Sequence, residues 1–153
     1  MKGDKVVALC DRNCNVVAPG IFAPGNKNES PLIREAFKPL INMAKAIGFK
    51  LKGSVMSLDG VYDCRENRKK IFNAGMIPNI NPNKRNRKAT KRGRKPLFSI
   101  VIFKERFRTI ERIFAWEDKF KRLLLRFERI SEHHYAMKQI AYSMINLRHF
   151  CSG

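Results

Sequence analysis

The sequence predicts a single α/β domain, and three observations support that assignment. Short apolar runs with strand character alternate with amphipathic segments that have helical spacing. The chain has 153 residues, which is the length of about one domain. Hydrophobic residues make up 44% of it, enough to build a core, so the chain is not a disordered basic tail.

The first elements are two strands and a helix. Lys5–Cys10 and Val16–Ala23 are predicted strands joined by a turn. Ser30 is predicted to cap a helix that has Pro31 at its first position and ends at Gly48.

A strand, a short helix and a further strand follow. Ser54–Leu58 has the composition of a short buried strand and runs directly into Asp59. Asn67–Phe72 is a predicted helix stopped at Gly75, and Met76–Ile80 is a predicted strand.

The second half is predicted to be helical. One long helix is expected to cover most of 98–130, and Ser131 is expected to cap a last helix. The long segment carries an apolar strip predicted to face the core, made of Phe103, Phe107, Ile110, Phe114, Phe120, Leu124 and Phe127.

The charge of the chain favours nucleic acid as a partner. It has 32 Lys and Arg residues against 13 Asp and Glu, a net charge of +19, and such a surface attracts polyanions in a salt-dependent way. Residues 82–97 are predicted to be a flexible basic arm within the domain that follows phosphates, although a merely solvated loop has the same composition. Its basic residues are Lys84, Arg85, Arg87, Lys88, Lys91, Arg92, Arg94 and Lys95.

Membrane and zinc functions are not indicated. The sequence has no apolar stretch near the roughly 20 residues that span a bilayer and nothing like a signal peptide, so we expect an intracellular protein. Its four cysteines fit no zinc spacing and are expected to be free thiols.

Two acidic residues are candidates for metal-dependent chemistry on DNA. Asp59 follows a buried strand, and Glu111 lies beside Arg108 and Arg112 on the predicted long helix. Phosphodiester cleavage uses divalent metal ions, which carboxylates hold. Taken alone, however, Asp59 is equally a turn residue, and Glu111 is better explained as an ion-paired helix residue.

Three segments of the chain match the pattern of a known family. Asp59-Gly-Val-Tyr-Asp63, with the residues that follow it, is similar to the second-aspartate segment of insertion-sequence DDE transposases. The segment 108–129 is similar to the glutamate segment and is the most specific match, and 140–150 resembles the C-terminal helix. The resemblance covers about residues 5–151.

The resemblance implies a function and a set of residues. It implies an RNase H-like mixed sheet with flanking helices, Asp59 and Glu111 as catalytic and metal-binding residues, and Mg²⁺ or Mn²⁺ as cofactor. Lys119 and Arg122 then join Arg108 and Arg112 as residues that bind double-stranded DNA at transposon ends. A bacterial, nucleoid-associated location is implied as well.

The chain departs from the family pattern at its N-terminus. The family's first catalytic aspartate lies on a central strand upstream of the segment matching Lys5 to Asp11, and Asp11 does not correspond to it. We therefore expect a partial domain, truncated at its N-terminus, that is inactive alone and works with an upstream transposase segment or as a homo-oligomer. Two other interpretations stay open: a non-catalytic basic nucleic-acid-binding protein, and a metal-dependent nuclease of the same fold.

Overall fold

The computed structural model describes residues 4–83, 96–125 and 127–151, and these form a mixed α/β structure. The basic arm therefore lies mostly outside the described residues. In chain order the elements are β1 (Asp4–Val7), β2 (Ile21–Pro24), α1 (Glu29–Glu35), α2 (Phe37–Ala46), β3 (Val55–Leu58), a 3₁₀ turn (Gly60–Tyr62), α3 (Arg65–Asn73), β4 (Ile77–Ile80), α4 (Ile100–Glu117), α5 (Lys121–Leu124) and α6 (Ser131–Cys151). Among these helices, none combines the length and the apolar composition that crossing a bilayer requires.

The strands form two small sheets and not the one mixed sheet that the resemblance implies. β1 pairs with β2 in antiparallel fashion, with Lys5 opposite Ala23. β3 pairs with β4 in parallel, with Ser57 opposite Asn79. Within the described part of the chain, each strand therefore has one paired edge and one edge without a partner strand.

A shared core lies beneath both sheets. It combines residues from all four strands with residues from α1, α2 and α3, so the two sheets belong to one packed unit. Its members include Val7, Ala23, Ile33, Phe37, Leu40, Leu58, Ile71 and Ile80. A second core joins α4 and α6 to the turn after β1, through Cys14, Ile113, Tyr142 and Ile145.

The predicted helix from Pro31 to Gly48 is broken in the middle. It consists of α1 and α2, which meet at Ala36. Pro39 explains the break, because a proline lacks the N–H that a helix interior needs but is tolerated in the first turn of a new helix. The cap is Asn28 and not Ser30, since the Asn28 side chain accepts a hydrogen bond from the Ser30 N–H.

The long helix predicted over 98–130 is also interrupted. α4 ends at Glu117, and Phe120 has a non-helical backbone (φ −82°, ψ 89°) that lets its ring contact the second core. The α4 part of the predicted core strip is not the buried face of that helix, whose buried residues are Thr109, Ile113 and Glu117. Farther along the chain, Leu124 and Phe127 are 58% and 64% exposed.

Side-chain amides of α6 hold the chain between β1 and β2. Asn146 both donates to the Val16 carbonyl (2.9 Å) and accepts from the Val16 N–H (2.8 Å). Gln139 makes the same pair of bonds to Gly20, at 3.2 and 3.3 Å. Each amide thus satisfies one backbone donor and one backbone acceptor, as a neighbouring strand would.

α4 and α6 are joined by a buried polar cluster. Glu117 is buried on α4, where it accepts a 2.6 Å hydrogen bond from the Tyr142 hydroxyl and pairs with the Lys138 ammonium. Burial and the neighbouring carboxylate raise the pKa of Tyr142 above its usual range, which keeps the phenol protonated as a donor.

Candidate functional site

A cavity of about 1060 Å³ is lined by β1, β3 and α4. Three residues of α1 and α2 (Glu29, Ile33 and Leu40) also line it. Both of the acidic residues singled out from the sequence, Asp59 and Glu111, lie on its wall, although they are 52 positions apart in the chain.

Asp59 stands at the point where β3 ends. Its Oδ1 accepts a 2.6 Å hydrogen bond from the Gly60 N–H and caps the 3₁₀ turn, which fixes the carboxylate at the strand end. The side chain is exposed, and no contact to its Oδ2 is present among the described residues. Gly60 allows the close approach of the chain after β4, because a Cβ there would lie 3.3 Å from the Asn81 carbonyl oxygen.

Glu111 is exposed on α4, without an ion pair or hydrogen bond to any described residue. The ion pair expected for Glu111 is therefore not made with a described residue. Arg108 and Arg112 are likewise exposed and unpaired there, so they neither neutralise Glu111 nor are neutralised by another acid.

The other acids that line the cleft are engaged. Asp11 closes the turn after β1 by accepting bonds from the backbone N–H groups of Asn13 and Asn15 at 2.9 and 2.8 Å. Glu105 accepts two bonds from Arg12, at 2.8 and 3.0 Å. Turn closure is a structural role.

Two further groups in the cleft stay neutral near pH 7. Burial, with a smaller effect of Glu29, raises the pKa of Tyr62 to about 12. Burial, with Cys14 and Asp11 nearby, raises the pKa of the Cys10 thiol to about 12 as well. The charge of the cleft is therefore carried by its carboxylates and by Lys5, Arg12 and Arg106.

The described residues do not by themselves fit a two-metal site. Carboxylate oxygens of Asp59 and Glu111 are the hard donors that Mg²⁺ and Mn²⁺ prefer. No group of three or more His, Cys, Asp or Glu side chains is placed to hold a metal ion in residues 4–83, 96–125 and 127–151. The remaining residues of the sequence include no Asp or Glu, so they do not supply a third carboxylate side chain. The four cysteines are free, as expected.

The predicted DNA-binding residues differ in their exposure and in whether they form an ion pair with a described residue. Residues Lys84 to Lys95 lie outside the described part of the chain. Lys119 is exposed without an ion pair to a described residue, as are the two arginines of α4, whereas Arg122 binds Glu128 at 2.8 Å. Lys104 was missed by the sequence analysis. Its spacing in the sequence could have indicated it, because Lys104, Arg108 and Arg112 lie four residues apart and form a basic row on α4.

Both flanks of the basic arm are held close to the end of β3. Asp63, in a largely buried pair with Arg68 at 2.8 Å, accepts a bond from the Asn83 N–H at 2.9 Å. Buried Asn79 binds both the N–H and the carbonyl of Ser99, at 2.7 and 3.1 Å. Asn83 and Ser99, which lie on either side of the arm in the sequence, are therefore both near Asp59.

Comparison with known proteins gives no relative: no family model matches the chain, and neither a curated protein nor a solved structure does.

Proposed function

We propose that this chain contributes two carboxylates and a basic surface to a site for metal-dependent DNA strand cleavage and transfer, of the kind found in insertion-sequence DDE transposases. The observation that carries the proposal is that Asp59 and Glu111 line one cleft while neither forms an ion pair with a described residue. The antiparallel pair β1–β2 and the parallel pair β3–β4, packed on a common core, support an RNase H-like arrangement.

Each residue has a defined task in this proposal. Asp59 and Glu111 would hold Mg²⁺ or Mn²⁺, which would supply activation of the attacking oxygen and stabilisation of the leaving oxygen. The Gly60 N–H holds one carboxylate oxygen of Asp59, which fixes this residue at the wall of the cleft. The row Lys104, Arg108 and Arg112 neutralises phosphates next to Glu111, which orients the DNA backbone at the cleft.

Iron-directed cleavage of the polypeptide tests the site. With Fe²⁺ in place of Mg²⁺, and with ascorbate and peroxide, hydroxyl radicals cut the backbone next to the bound ion. We expect cuts near residues 59 and 111 that disappear in Asp59→Asn and Glu111→Gln variants. Asp118→Asn is the matched control, because Asp118 is exposed at the end of the same helix but does not line the cleft. Cuts elsewhere, or cuts unaffected by the two cleft variants, would refute the site.

Non-catalytic binding of nucleic acid is the second candidate function. It is favoured by the basic row on α4, which has no ion pair to a described residue, together with a set of described metal donors too small for two metal ions. The Glu111→Gln variant separates the two functions through DNA affinity. A purely electrostatic binder gains affinity from it whether or not Mg²⁺ is present, whereas a metal-assisted site loses the part of its affinity that depends on Mg²⁺.

A further inference from the structure

A second basic surface lies at the end of the fold where β3 and β4 begin. The sequence contains no Asp or Glu in residues 36–58 or in residues 67–80. Asp59 follows the opposite end of β3, so this surface does not include the proposed metal-binding residues. Five lysines of the two acid-free stretches are exposed, and none forms an ion pair with a described residue: Lys45, Lys50, Lys52, Lys69 and Lys70.

The loops that precede these two strands contact each other. The Gly53 N–H donates a hydrogen bond to the Gly75 carbonyl at 2.8 Å. A Cβ at Gly75 would lie 3.5 Å from the Cα of Lys52, so the two backbones run close together there. Because β3 and β4 are parallel, both loops lie at the same end of the sheet. The loops 47–54 and 73–76 therefore belong to one continuous surface.

Large apolar side chains are exposed among these lysines. Ile47, Phe49 and Phe72 are 63%, 46% and 71% exposed. Gly48, just after α2, has a φ of +70°, and a Cβ there would meet no described atom within 4 Å, so the chain turns in open space. The surface thus presents apolar side chains between lysines, and a group of exposed apolar side chains with a charged surround is typical of a region that contacts a partner.

An anionic bilayer surface complements this combination better than duplex DNA does. Each of the five cations is a lysine, whose ammonium reaches lipid head groups while its stem covers apolar surface. Arginine, which nucleic-acid surfaces favour, is instead present on α4 as Arg108 and Arg112. Duplex DNA offers phosphates to the lysines, but its stacked bases would leave Ile47 and Phe72 in water. The boundary between head groups and acyl chains takes up cations and apolar side chains together.

We infer that this surface attaches the protein to a membrane that contains anionic lipid, with Ile47, Phe49 and Phe72 in the head-group region. Attachment to the surface of a bilayer requires no spanning helix, and its strength depends on the buried apolar area together with the attraction to anionic lipid. The inference does not depend on the proposed metal site, because lipid binding requires neither a metal ion nor DNA.

Flotation with lipid vesicles, in buffer without metal ions and DNA, tests the inference. The probes are vesicles of phosphatidylcholine alone and vesicles in which about one third of the lipid is anionic phosphatidylserine. We expect binding to the second kind only. Each lysine near an anionic surface contributes about 5-fold in affinity, so replacing Lys45, Lys50 and Lys52 with serine should weaken binding by about 100-fold.

A matched set of cations separates this surface from the net charge of the chain. Lys119, Lys121 and Arg129 are exposed beyond the C-terminal end of α4, and replacing all three with serine removes the same charge. This control variant should lose no more than about 2-fold in vesicle affinity, because salt screens charges that do not face the bilayer. Equal losses in the two triple variants would show unspecific attraction to a chain of net charge +19 and would overturn the inference.

A pair of exposed phenylalanines tests the apolar part of the surface. Phe72→Ser should weaken vesicle binding by about 5-fold or more, since an apolar contact with the bilayer is lost. Phe150→Ser should leave it unchanged, because Phe150 is even more exposed (83%) but lies at the end of α6. Equal effects of the two substitutions, or no binding to the anionic vesicles, would overturn the inference.

Duplex DNA affinity of the same variants identifies the other possible occupant. If serine at positions 45, 50 and 52 weakens binding of duplex DNA but not of vesicles, the surface is a nucleic-acid interface and the inference is overturned. The iron cuts near Asp59 and Glu111 test the proposed function separately, since they involve no lipid.

Discussion

Replacing Glu117 with alanine should destabilise the fold severely. The side chains of Glu117 and Lys138 are 8% and 14% exposed, and Tyr142 is buried beside them. The substitution leaves an ammonium group and a phenol without their acceptor in a nearly dry site. Breaking a buried pair in this way costs about 3–5 kcal/mol of unfolding free energy. For a chain of this length each kcal/mol lowers Tm by roughly 2–4 °C, so we expect a decrease of about 6–20 °C.

Urea unfolding followed by circular dichroism measures this effect. Glu117→Gln should cost less than alanine, because its amide oxygen still accepts the Tyr142 hydroxyl bond. Glu111→Ala is the matched control on the same helix, and loss of this exposed side chain, which has no ion pair to a described residue, should change stability by no more than about 0.5 kcal/mol. Equal destabilisation by the two alanine variants would refute the assignment of Glu117 as the residue that joins α4 and α6.

Three further outcomes are expected. Duplex DNA affinity should fall by orders of magnitude between roughly 50 and 200 mM salt, and replacing the basic residues of 84–95 with serine should flatten that slope in filter binding. Burial raises the pKa of Cys10 from 9.0 to about 12, so between pH 9 and 12 the thiol keeps its proton in the folded state and loses it in the unfolded state. The free energy of unfolding should therefore fall as pH rises from 9 to 12. Urea unfolding of Cys10→Ala should show a smaller fall over this range. The chain alone should not nick plasmid DNA with Mg²⁺ or Mn²⁺; joining it to an upstream segment that ends in an aspartate should produce nicking that Asp59→Ala or Glu111→Ala abolishes. Nicking by the chain alone that disappears with Asp11→Ala would instead make Asp11 the third ligand.

The strand that carries Asp59 could be predicted because its signal is local. A short apolar run with an acidic residue directly after it needs no tertiary information, and β3 ends at Leu58 as expected. Glu111 could be placed on a helix for the same reason. That both residues line one cleft depends on how α4 packs against β3, and only the resemblance to transposases suggested it.

The wrong predictions of burial have a common physical cause: the type of a residue does not show which other residues will pack against it. Glu117 has the sequence signal of a surface residue, yet it is 6% exposed because Lys138 and Tyr142 meet it there. Phe107 has the signal of a core residue, yet more than half of it is exposed beside the cleft. Periodicity found an apolar strip on α4, but the buried face of that helix, which contains Ile113, is a different one.

The amide contacts of α6 have a consequence for the order of events during synthesis. Asn146 lies 130 positions after Val16, the backbone that it binds. At 5–20 residues per second, about 7 to 26 s separate the two residues on a ribosome. During that interval water must take the place of the helix at Val16 and Gly20. In a chain that ended before α6, water would remain hydrogen-bonded to Val16 and Gly20. The last helix is therefore what removes water from the backbone between β1 and β2.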